Sequence, residues 1–170
     1  MRGLAISGAA LAAALAIAAC GGDSTASSTS SPAAGTTVSV RSIDGVGKVL
    51  VDSRGMPLYT SNLDANGTPA CSGACLSFWK PLTLASGRPS AAAGAGKVGV
   101  VMRADGARQV VVAGKPLYTF VKDSPGKATG NGVTDEFAGR RFTWKAVAAG
   151  GGSAAGGSRG GGAGYGGGGY

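Results

Sequence analysis

The apolar runs of this chain are short, rich in Val, Leu and aromatic residues, and cut apart by turn residues. Three of them, 98–103, 108–112 and 116–121, are separated by Asp105-Gly106 and Ala113-Gly114. Asp-Gly supplies the positive φ that a tight hairpin needs, so these runs predict an antiparallel meander. Runs 38–43, 48–52 and 57–61 follow the same plan with looser loops. Pro57 and Pro116 lack an N–H, so each should open its strand or lie on an edge. A closing strand in each set carries Trp79 or Trp144. No stretch shows the spacing of a long amphipathic helix.

The two sets are copies. Gly55-Met56-Pro57-Leu58-Tyr59-Thr60-Ser61-Asn62-Leu63-Asp64 returns as Gly114-Lys115-Pro116-Leu117-Tyr118-Thr119-Phe120-Val121-Lys122-Asp123, with six of ten positions identical. Asp44-Gly45 upstream answers Asp105-Gly106, and Phe78-Trp79-Lys80 downstream answers Phe142-Thr143-Trp144-Lys145. Matching on both sides marks a duplicated unit. The expected architecture is all-β: two similar antiparallel meanders, 38–82 and 98–147, packed as a small sandwich or partly closed barrel. An Ala/Gly/Ser-rich connection, 83–97, joins them. Within the repeated phrase, period 2 sets Leu58 and Thr60 against Tyr59, and Leu117, Thr119 and Val121 against Tyr118 and Phe120. A buried Tyr needs a partner for its hydroxyl, and the Asp five residues later in the same copy is the candidate. Tyr, Asp and Trp recurring together suit a core needed twice better than a ligand site.

What precedes the meanders gives an address. Arg2 and the uncharged apolar run 3–19 have the form of a secretory signal, ending in small residues before Cys20. This junction resembles a bacterial lipobox, whose cysteine is lipidated on sulfur and becomes the mature N-terminus; an ordinary cleaved signal is the alternative. Residues 20–37 then hold Gly, Ser, Thr, Ala and Pro with one acid, too little apolar surface to offset ordering entropy. Such a tether reaches roughly 20–25 Å. Residues 148–170, with thirteen glycines, should form a second disordered segment.

Three cysteines in an exported chain leave one unpaired; lipidation of Cys20 removes it and leaves Cys71 and Cys75. In an oxidising compartment their default is a structural disulfide. A helical turn would bring their Cα atoms within range, and the short loop limits the gain to about 2 kcal/mol. A thiol-redox pair, or a Cu(I) site drawing on Met56 and Met102, is the alternative. The chain has no histidine, which removes the usual metal ligand and the usual general base. The acids mostly sit at turns, so no catalytic group, metal site or cofactor is expected. Between residues 38 and 147 fourteen Lys and Arg outnumber seven acids, a net +7. Such a surface is drawn to anionic lipid headgroups or acidic envelope polymers. Export makes nucleic acid a poor partner, and nothing specifies an oligomeric state.

Tyr118 to Asp123 has the form Tyr-x-Phe-x-x-Asp, and Tyr59 to Asp64 matches it at both ends, with Ser61 at the aromatic position. Together with Cys71-x-x-x-Cys75 and Phe78-Trp79, this resembles a family of secreted-repeat bacterial lipoproteins named for a Tyr-x-(Phe/Trp/Tyr)-x-x-Asp motif. The resemblance covers nearly all of the duplicated region. It implies a non-catalytic envelope lipoprotein, and no known activity comes with it.

Overall fold

Short apolar strands split by glycine turns fold here as antiparallel ladders. The computed structural model describes residues 37–64 and 67–154. The expected signal, Cys20, all of the tether except Thr37, and residues 155–170 lie outside them. In the first copy β1 (Val38–Ile43) pairs with β2 (Gly47–Asp52), and β3 (Tyr59–Ser61) follows. A single helical turn, α1 (Cys75–Phe78), leads into β4 (Trp79–Pro81). The second copy repeats the order with β5 (Val98–Met102), β6 (Arg108–Val112), β7 (Lys115–Pro116) and β8 (Tyr118–Phe120), then β9 (Thr134–Phe137) and β10 (Arg140–Ala146). Gly45 and Gly106 turn the first hairpins with φ of 74° and 80°, the left-handed region open to glycine.

The copies exchange their closing strands. The central sheet runs β4-β8-β3-β10-β9. Trp79 of the first copy lies opposite Phe120 of the second, and Trp144 of the second opposite Ser61 of the first. Tyr59 pairs with Tyr118 where the two halves meet. Each meander is therefore completed by the other copy's Trp strand, and the sheets curl into a half-barrel.

Three strands meet at each repeated Leu. Leu58 N–H donates to the Leu50 carbonyl, Leu50 N–H to Val147, and Val147 N–H back to Leu58, at 2.9, 2.8 and 2.9 Å. Leu117, Val110 and Leu82 close the same ring at 3.0, 2.8 and 2.9 Å. These six residues pack with Val38, Val112 and Ala95 into one apolar cluster. The second cluster, across the central sheet, holds both Tyr and both Trp residues.

The fold continues past the expected boundary at Val147. Ala148 N–H bonds the Gly152 carbonyl, Ala154 N–H bonds Ala146, and Gly150 N–H bonds Gly94. Composition alone hid this, because Gly and Ala contribute to the fold here through backbone groups.

Candidate functional site

The repeated motif builds the second cluster from both copies at once. Trp79 and Trp144 stack at 3.9 Å with planes 10° apart. Phe120 stacks on the far side of Trp79 at 4.4 Å, and Phe142 on the far side of Trp144 at 5.7 Å. The Ser61 position carries no ring, and Phe142 from the closing strand supplies one against Trp144. Tyr59 meets Trp79 edge-on at 5.3 Å, and Tyr118 meets Trp144 at 5.2 Å, the arrangement that ring quadrupoles favour. Both Tyr and both Trp residues are fully buried.

The hydroxyl partners are crossed. Tyr59 O–H donates to Asp123 at 2.5 Å and Tyr118 O–H to Asp64 at 3.2 Å. The expected partner, the Asp of the same copy, is displaced because strand exchange carries each Tyr under the other copy's loop. Each Asp also clips that loop shut. Asp64 accepts the Ser61 and Ala70 N–H groups, and Asp123 accepts Thr129 and Gly130 N–H and the Thr129 hydroxyl. Burial pushes the Tyr59 hydroxyl far above its ordinary pKa, helped by its bond to Asp123 and that carboxylate's charge, with a Gly130 backbone bond opposing. Tyr118 is raised by burial and the charge of Asp64, with Gln109 and Arg103 opposing. Gly130 lies so close that a Cβ there would sit 2.9 Å from Trp79 Cη2.

Residues that sequence reasoning did not single out complete the cluster. Asp135 accepts the Trp79 indole N–H at 2.8 Å. Arg103 is buried, donating to Gln109 Oε1 at 2.7 Å and to the Cys71 carbonyl at 2.9 Å, while Gln109 Nε2 donates to the Leu117 carbonyl. The register of the two hairpins places Arg103 and Gln109 where the first copy has Ile43 and Val49. Laying one repeat on the other would have flagged that polar-for-apolar change. Cys71 and Cys75 are joined by a disulfide with Cα atoms 5.5 Å apart, and both are fully buried.

A family model described as a secreted repeat of unknown function matches residues 42–83 and again residues 99–148. The chain belongs to this secreted-repeat family. Membership puts its working place outside the cytoplasm. Neither a curated protein nor a solved structure matches the chain. Both secreted repeats contribute to one shared cluster, in which Tyr59, Asp64, Trp79, Tyr118, Phe120, Asp123 and Trp144 come together. Cys20 lies outside the described residues.

Proposed function

We propose that this secreted-repeat protein is a non-catalytic lipoprotein of a bacterial cell envelope, anchored through Cys20, whose β domain binds anionic envelope material. One observation carries the reading: exposed bases outnumber exposed acids by more than three to one. Of the seven acids between residues 38 and 147, only Asp44, Asp105 and Glu136 are exposed, against ten of the fourteen Lys and Arg. Asp52, Asp64, Asp123 and Asp135 accept internal hydrogen bonds instead. The exposed groups thus carry the whole of the domain's net +7, and such a surface attracts anionic headgroups or acidic polymers. The motif's bonds run between the copies, which supports a structural duty for it. A buried disulfide whose Cys71 carbonyl is held by Arg103 supports a structural role over thiol exchange or Cu(I) handling.

Fractionating cells that express Cys20→Ser tests the anchor. The variant is expected in the soluble fraction. Retention on membranes after a high-salt wash would overturn the lipid-anchor reading.

A further inference from the structure

A pocket of about 620 Å³ lies where β3 and β10 pair, lined among others by Thr60, Asn62, Asp64, Lys115, Thr143 and Lys145. Thr60 and Lys145 are cross-strand partners. They alternate along their strands with Tyr59, Trp144 and Ala146 of the aromatic cluster, and so face away from it. Thr143 N–H donates to Asn62 Oδ1 at 2.7 Å, which leaves the Asn62 amide N–H groups without a partner among the described residues. Thr60 Oγ1 is buried, also with no hydrogen-bond partner among the described residues. Neither lysine has a carboxylate within 4.0 Å among the described residues. Asp64 is almost wholly buried and already accepts bonds from Ser61, Ala70 and Tyr118.

The duplication supplies an internal control. In the other half Thr119 and Lys80 are cross-strand partners in the same way. Asn62 N–H donates to the Thr143 carbonyl at 3.0 Å, and Val121 N–H to Phe78 at 3.0 Å, so the two frames superpose bond for bond. Their contents differ. Val121 stands for Asn62, Phe78 for Thr143 and Met56 for Lys115. Both frames fold, so folding does not require Asn62, Thr143 or Lys115. Two ammonium groups with no carboxylate partner among the described residues suit a phosphate, and the exposed Asn62 amide beside them suits neighbouring hydroxyl groups.

We propose that this pocket binds a polyol phosphate, a phosphate ester that carries free hydroxyls. The proposal rests on the reading that the protein binds anionic envelope material, and names the chemistry recognised. The ester could belong to a wall polymer or to a lipid headgroup.

The test is a calorimetric titration of the purified full-length protein with glycerol 3-phosphate, inorganic phosphate and glycerol. Glycerol 3-phosphate is expected to bind saturably and more tightly than inorganic phosphate, with no binding of glycerol. Lys115→Gln/Lys145→Gln should weaken it roughly tenfold or more. Arg88→Gln/Lys127→Gln, which removes the same charge outside the pocket, should leave it within about twofold. Asn62→Val/Thr143→Phe imports residues that the opposite half already folds with, and should erase the preference over inorganic phosphate. Displacement by glycerol 3-phosphate of a soluble poly(glycerol phosphate), or of phosphatidylglycerol vesicles, identifies the source. Absence of saturable glycerol 3-phosphate binding overturns the pocket, as does equal loss in the two charge variants. Polymer binding that survives such a failure leaves the general reading standing, and the two are told apart.

Discussion

Phe120 and Ser61 occupy equivalent register positions, opposite Trp79 and Trp144, yet their side chains do different work. Phe120 is 6% exposed and stacks on Trp79. Phe120→Ala removes one end of the four-ring column and should destabilise the domain by about 3–5 kcal/mol. Ser61→Ala loses only a 3.3 Å bond from Leu63 N–H and should cost less than about 1 kcal/mol. Urea denaturation of both variants checks this. A Phe120→Ala protein that unfolds at the wild-type midpoint would show that the aromatic motif position is not core. At this scale the chain announces which residues are large and must be buried. It does not say that Phe142 replaces the ring Ser61 lacks, because stacking needs atoms brought together from different strands.

The hairpins β1-β2 and β5-β6 were legible, since each is closed by a local turn whose glycine has the φ the turn requires. The pairing of the closing strands was not. Phe-Trp-Lys and Thr-Trp-Lys suit either meander equally, and backbone hydrogen bonds carry no label saying which copy they join. Exchange is favoured by what it allows: Trp79 stacks on Trp144, and each Tyr reaches the other copy's Asp. A consequence follows for the separated halves. Residues 37–97 alone lack the strand that pairs with β3, and residues 98–154 alone lack the strand that pairs with β8. Neither should be a folded monomer, and mixing them should restore the near-ultraviolet dichroism of the stacked tryptophans. A cooperatively melting monomer from either half would refute the dependence.

Stability of the whole molecule is coupled to the two buried phenols. Each has its folded pKa raised above the ordinary value of about 10. A raised folded pKa contributes stability that is fully present below about pH 10 and lost as pH rises, because only the unfolded chain releases the proton there. With two such groups the slope above pH 10 should approach about 2.7 kcal/mol per pH unit, and Tyr118→Phe should roughly halve it. The check is urea unfolding from pH 8 to 12, with tyrosinate absorbance read in a Tyr165→Phe/Tyr170→Phe background. Absorbance that rises near pH 10 while the fold persists would contradict burial of the pair. What the sequence by itself determined was the duplication, the all-β class and the positions of the strands other than β9, because these follow from local spacing and turn chemistry. Only the tertiary structure decided that the copies trade strands, that Tyr and Asp pair across them, that residues 148–154 join the fold, and which four acids turn inward to accept hydrogen bonds. Each of these depends on contacts between residues far apart in the chain, whose partners are chosen by packing rather than by spacing.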